Sequence, residues 1–256
     1  MSWRATTASA RGSEHARLFK NNQDAVAGCA FGGALAIAVA DGCSQGAFSE
    51  VGARLVARFV AQKACEGASP AAVGDAVLAW LYTLANGSGA ELSAFVQEQL
   101  LTTLLCAVVR GDLVTVFGVG DGVFSVDGRV TVLEAGPQNA PPYVAYRMLP
   151  EVGVDAQVRV HFSGRASRVV IGTDGAAPLM GSLNEAFGWT NPQSLQRLLN
   201  VTKGLHDDAT VALLERVEMS SLSPLGERAG VRGNVDGANA EDGSSTPTRG
   251  AVVRGA

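Results

Sequence analysis

Five short acidic motifs are spread along this chain of 256 residues: Asn22-Gln23-Asp24-Ala25, Ala40-Asp41-Gly42, Val119-Gly120-Asp121-Gly122, Gly172-Thr173-Asp174-Gly175 and His206-Asp207-Asp208-Ala209-Thr210. The second, third and fourth each set an Asp at or just past the end of an apolar β-type run and follow it with Gly. The fifth leads straight into such a run. If those strands are neighbours, several carboxylates meet at one sheet edge with nothing basic close by in sequence. Like charges that near each other call for a cation between them, so a hard divalent metal is the first chemistry these residues suggest. Taken singly, an Asp-Gly after a strand is an ordinary turn, because Asp caps its own backbone and Gly accepts positive φ. Asp112 and Asp127 keep that turn reading, since each marks a hairpin tip outside the five motifs.

The elements that must position these carboxylates can be read from periodicity. Ala34 to Ala40 is wholly apolar and reads as a strand buried on both faces. From Ser49, a plausible N-cap, the spacing predicts a helix with Val51, Leu55, Val56, Phe59 and Val60 on one face. A second helix follows Ser69-Pro70 and stops at Asn86-Gly87. Thr102 to Leu133 is β-rich, with turns at Arg110-Gly111-Asp112, Gly120-Asp121-Gly122 and Asp127-Gly128, which predicts three or four antiparallel strands in one meander.

Ala135 to Pro150, holding Pro137, Pro141 and Pro142, reads as a loop. Strands are predicted over Val158–Phe162, Arg168–Gly172 and Ala209–Val217, and a helix over Asn191–Asn200. Strands and helices come in blocks, so the class is α+β. One domain is expected over residues 1–218. Residues 219–256 are rich in Gly, Ser, Arg, Asn and Pro, and are expected to form a disordered tail.

Composition excludes several function classes. A net charge of −4 and no clustered Lys/Arg stripe argue against nucleic-acid binding, which rests on neutralised phosphates. No apolar run approaches the ~18 residues that span a bilayer, so no membrane is expected. Cys29, Cys43, Cys65 and Cys106 are widely spaced, with no Cys-x-x-Cys pair, and read as reduced thiols of a cytoplasmic monomer.

Taken in order, the motifs resemble those of the type 2C metal-dependent serine/threonine protein phosphatases, bacterial branch. The family's first motif, Gly-x-x-His followed by Gln-Asp-Ala, is matched by Gly12, His15, Gln23, Asp24 and Ala25. Ala40-Asp41-Gly42, Ser49-Glu50-Val51-Gly52-Ala53, Thr102-Thr103-Leu104, Val119-Gly120-Asp121, Gly172-Thr173-Asp174-Gly175 and Asp207-Asp208-Ala209-Thr210 then fall in family order. The resemblance runs from about Ala10 to Arg216. It implies a four-layer α/β/β/α sandwich of two antiparallel sheets flanked by helices, with a centre of two divalent cations, manganese or magnesium, at one end of the sheets. Carried over by position, Asp41 bridges both ions and Gly42 offers its carbonyl. Asp174 and Asp207 ligate one ion, Asp24 acts partly through water, and Asp121 with Asp174 serves a weaker third. Asp41 and Asp174 are the catalytic pair. Two such cations would lower the pKa of a shared water, which then attacks phosphorus.

Two departures stand out. Where many family members carry an Arg that grips the substrate phosphate, four residues before Gln23, this chain has Phe19, and His15, Arg17 or Lys20 must supply the contact. Cys43 stands where eukaryotic members place a His, and reads as packing. The resemblance implies a phosphatase acting on phosphorylated proteins, opposing a Ser/Thr kinase. The alternatives are a pseudophosphatase that binds a phosphorylated partner and a phosphatase of small metabolites.

Overall fold

Leu104-Leu105-Cys106-Ala107-Val108-Val109 is apolar at every position because both faces of its strand are covered. Leu104, Cys106 and Val108 pack under helices, whereas Leu105, Ala107 and Val109 pack against a second sheet. The computed structural model describes residues 2–136, 140–185, 191–202 and 204–217. The expected tail lies outside the described residues, as does Pro137.

Among the described residues, ten strands form two antiparallel sheets. One contains β2 (Asp24–Phe31), β3 (Ala34–Asp41), β4 (Leu104–Arg110), β5 (Leu113–Val119) and β8 (Arg159–Arg165), in that order. The other has the order β1 (Ser2–Ala10), β10 (Ala209–Val217), β9 (Arg168–Gly172), β6 (Gly122–Val126), β7 (Arg129–Leu133). Helices α2 (Ser49–Glu66) and α3 (Pro70–Gly87) cover the first sheet, and α5 (Met180–Glu185) and α6 (Pro192–Val201) cover the second. Two short helices, α1 (Ser13–Arg17) and α4 (Leu92–Phe95), lie in connections. The layers are therefore helix, sheet, sheet, helix, as the sequence resemblance implied. Between the sheets, Ile37, Val39, Val116, Phe124, Ile171 and Leu214 form a buried apolar core. No described helix is long and apolar enough to cross a membrane.

Four sequence expectations are corrected. The strands from Leu104 to Leu133 are not one meander: β4 and β5 belong to one sheet, β6 and β7 to the other. The chain crosses at Gly120-Asp121-Gly122, where φ is 100° at Gly120 and 129° at Gly122, conformations that side chains with a Cβ rarely adopt. Helix α2 turns a different face inward. Val51 is exposed, while Gly52, Ala53, Ala57, Ala61 and Ala64 are buried with Val56 and Val60. Small residues let the helix lie close on Ala25 and Ala40 of β2 and β3. Ser49 is not its N-cap but its first residue, and its hydroxyl accepts from Gln23 Nε2 at 2.7 Å. The segment read as a loop before Pro150 includes a tight 3-10 turn, Val144–Met148.

Candidate metal centre

Strand register gathers the five motifs at one end of the sandwich. Asp24, first in β2, pairs directly with Asp41, last in β3. The end of β3 lies beside the start of β4, and Leu104 of β4 pairs with Val119 at the end of β5, immediately before Asp121. In the other sheet Val123 pairs with Gly172, and Gly172 with Val211, so the start of β6, the end of β9 and the start of β10 coincide. Asp121, Asp174 and Asp207 occupy those strand ends. No element longer than a turn separates any of the five carboxylates from a strand end, which is why a rigid sheet pair can hold them.

The carboxylates repel one another. Burial pushes Asp41 well above the ordinary carboxylate pKa, and the charges of Asp24, Asp174, Asp121 and Asp207 push it further. Asp24 rises to about 8, first through burial and then through the charge of Asp208, against a lowering hydrogen bond from Thr173. Asp121 rises to about 6 through burial and the nearby Asp174 and Asp207. Asp174 is raised by burial and by Asp207. Uncompensated repulsion of this kind is the electrostatic signature of a site built for positive charge.

The hydrogen bonds around these groups are unequally shared. Asp24 Oδ2 accepts from Thr173 Oγ1 at 2.7 Å, but Asp24 Oδ1 is buried with no partner, and so is Asp121 Oδ1. Buried carboxylate oxygens without donors are costly and fit hard, oxygen-seeking cations such as manganese or magnesium. Asp24, Asp41, Asp121, Asp174 and Asp207 are the residues that would hold them. Thr173 also accepts from Thr210 N at 3.0 Å, tying the start of β10 to Asp24. Asp41 is fixed through its backbone: Thr103 N and Thr102 Oγ1 both donate to its carbonyl at 2.9 Å. Gly42 sits opposite Thr102, so close to Gln23 O and Ser49 Oγ that a Cβ there would lie within 3 Å of both.

Asp208 differs from its neighbour. Asp207 is exposed, whereas Asp208 is buried and accepts from Gly12 N at 2.7 Å, Gln23 N at 2.6 Å and His15 Nδ1 at 2.8 Å. His15, Asp207 and Asp208 bring candidate ligand atoms within 4.8 Å of one another. Asp208 already has three donors, so its role is to fasten α1 and the Gln23 strand entry beneath the centre. Gly12 makes that approach feasible, since a Cβ there would lie 2.2 Å from the Asp207 backbone.

The three candidate phosphate contacts lie apart. His15 is buried on Asp208 because α1 packs against the 205–208 backbone, with Ser13 N on Leu205 O and Glu14 N on His206 O, each at 3.0 Å. Arg17 is exposed and pairs with Glu14 at 3.4 Å. Lys20 Nζ donates to Ser44 O at 2.5 Å. Phe19 is 93% exposed with a φ of 56°, an unusual conformation for a bulky side chain. Sequence reasoning missed Thr173 and the Asp208 anchor, although both sit inside motifs it had noted. Cys43 lies beside Tyr143, whose phenol is raised by burial and by a hydrogen bond with that thiol.

Residues 11–216 match the protein phosphatase 2C family. The chain belongs to that family. Its fold is shared by the serine/threonine phosphatase Stp1 of Staphylococcus aureus at 13% identity and a TM-score of 0.60, covering 85% of this chain and 96% of that one. The S. agalactiae serine/threonine phosphatase is similar at 15% identity and a TM-score of 0.56, over 84% and 100% of the two chains. The Mycobacterium tuberculosis serine/threonine phosphatase PstP/Ppp gives 16% and 0.51, over 85% and 100%. At these identities the likeness establishes the fold. By sequence, no curated protein matches.

Proposed function

We propose that this protein phosphatase 2C member is a metal-dependent phosphoprotein phosphatase that hydrolyses phosphoserine and phosphothreonine monoesters, opposing a Ser/Thr kinase in the cytoplasm. The observation that carries the reading is the pair of buried, partnerless carboxylate oxygens on Asp24 and Asp121, among carboxylates that raise one another's pKa. When bound, divalent ions supply charge neutralisation for a phosphate dianion and a lowered pKa for water.

The chain's own residues supply position. Asp24, Asp41, Asp121, Asp174 and Asp207 would present their carboxylates to the ions, and Asp208 with His15 holds the segment carrying Asp207. Arg17 and Lys20 are the nearest cations in sequence to Phe19, and offer the phosphate point contacts rather than a two-pronged grip. In the reaction a bond forms between a water oxygen and phosphorus while the bond from phosphorus to the Ser or Thr oxygen breaks.

The test is phosphate release from p-nitrophenyl phosphate and from a phosphothreonine peptide, with manganese, with chelator, and with Asp174→Asn. Manganese-dependent release that the substitution removes, with the peptide preferred, is the expected result. Phe19 in place of the usual Arg favours one rival, a phospho-binding pseudophosphatase, which would show a metal-induced thermal shift without release. Release from the small ester alone would indicate a metabolite phosphatase.

A further inference from the structure

Four strands end the two sheets, and three of them are guarded. β1 is capped by α6, where Gln196 donates to Ser9 O at 2.8 Å and accepts from Ser9 N at 3.3 Å. β7 is only five residues long and opens with Arg129. β8 carries Arg159 and Arg165, and its pairing register is broken between Val116 and Phe117. These are the usual devices against unwanted strand pairing. β2 has none of them. It is eight residues long, pairs with β3 in unbroken register, and holds no Pro, Lys or Arg. Its one charge, Asp24, faces the metal centre. Gly28, Ala30 and Phe31 are exposed along it.

Beside this edge runs a groove of about 890 Å³, walled by the exposed side of α2. Arg54 and Arg58, one helical turn apart and both exposed, line that wall. Glu50, one turn before Arg54, accepts from Asn21 at 2.7 Å, and Glu66, which lines the same groove two turns beyond Arg58, pairs with Lys63 at 2.7 Å. Gln62, the next groove residue along, donates to Glu66 as well. Among the described residues neither Arg54 nor Arg58 has an acidic partner. An open backbone edge supplies main-chain donors and acceptors for an extended chain, and two unpaired guanidiniums beside it select carboxylates.

We propose that the free edge of β2, with Arg54 and Arg58 of α2, docks an extended acidic segment of a phosphoprotein partner as an added strand. The identity of the partner rests on the phosphatase reading; the docking surface does not. Because β2 begins at Asp24, a strand laid on it is aimed at the carboxylate centre. A phosphorylated residue a few positions beyond the docked segment would reach that centre without either protein changing shape. Docking would therefore act on substrate capture, leaving the chemistry at the carboxylates unaltered.

The experiment uses the full chain and three phosphothreonine peptides: one without an arm, one with an eight-residue arm alternating Glu and Val, and one alternating Lys and Val. The acidic arm is expected to lower KM about tenfold, as an added tethered contact does, with kcat unchanged. Arg54→Glu with Arg58→Glu removes that gain while turnover of p-nitrophenyl phosphate stays at the wild-type rate. Binding of the labelled, unphosphorylated acidic arm is followed in parallel by fluorescence anisotropy, a readout that needs no catalysis. Ala30→Glu, which puts a like charge on the exposed edge, should weaken the same binding.

Equal KM for all three peptides, or arm binding indifferent to both variants, overturns the proposal. A wild-type dimer that Ala30→Glu dissolves would also overturn it, by showing that the edge serves a second copy of this chain. If the acidic arm binds and both variants weaken it, yet no peptide is hydrolysed, the docking site stands and the phosphatase reading falls.

Discussion

His15 Nδ1 lies 2.8 Å from Asp208 Oδ2, and both side chains are buried beneath the acidic centre. The same carboxylate takes the backbone N–H groups of Gly12 and Gln23, so one side chain joins the end of β1, the α1 turn and the entry to β2. Asp208→Ala strands three donors and should cost about 3 kcal/mol of stability. Denaturant unfolding of the chelated protein would measure it. His15→Ala should cost less, because the two backbone donors keep their acceptor.

The five carboxylates of the centre should behave in the opposite way. Asp41→Asn or Asp174→Asn removes a repelling charge, so each metal-free variant should melt at or above the wild-type temperature while phosphate release is lost. A variant that keeps full turnover would remove Asp41 or Asp174 from the centre.

The pH dependence of the metal-free protein follows from the same groups. Their ordinary pKa is 3.8, whereas Asp121 holds its proton to about 6 and Asp24 to about 8 in the folded chain. The folded state therefore binds more protons than the unfolded state across that interval, and stability falls as pH rises. The contribution is fully present below pH 3.8 and lost as pH passes 6 and then 8. In chelator, melting temperatures taken across this range should decline, and Asp24→Asn should flatten the slope. A rising curve would contradict the assignment.

Manganese should reverse that trend, because metal competes with protons for the same oxygens. At a hundred times its dissociation constant, a ligand of the native state alone adds about 2.7 kcal/mol. Calorimetry at pH 7.5 with and without millimolar manganese would show the shift, and Asp121→Asn with Asp24→Asn should diminish it.

Phe19→Arg would set a two-pronged donor at the position where the family resemblance places the phosphate contact. Peptide kcat/KM should rise about tenfold, mainly through KM, if the guanidinium replaces a point contact. No change would mean that Lys20 or Arg17 already serves.

Legibility in the sequence varied with side-chain size. β9 and β10 were readable to the residue, and β3 to within one, because each holds Val, Ile or Leu in a largely apolar run with few alternatives in a sandwich. β1 and β2 were not, since Thr, Ser, Ala and Gly in Ser2–Ala10 and Asp24–Phe31 carry weak strand preference. Their pairing with β10 and β3 supplies what propensity lacks. The α2 face was misread for a related reason: size suggested Val51 inward, but close approach to β2 favoured Gly52 and Ala53. The acidic motifs stood out from their common placement after strands, whereas the division of labour between Asp207 and Asp208 depends on donors 185 to 196 residues away in sequence. No local pattern encodes that.

The single-residue crossing at Asp121 also makes the centre a gauge of the interior. Asp24 and Asp41 ride on one sheet, Asp174 and Asp207 on the other, and Asp121 spans the seam. Any slippage of one sheet over the other would change the distances between carboxylates before it changed anything at the surface. Metal affinity should therefore register a cavity cut between the sheets, at Phe124 or Ile171, although neither residue belongs to the acidic cluster.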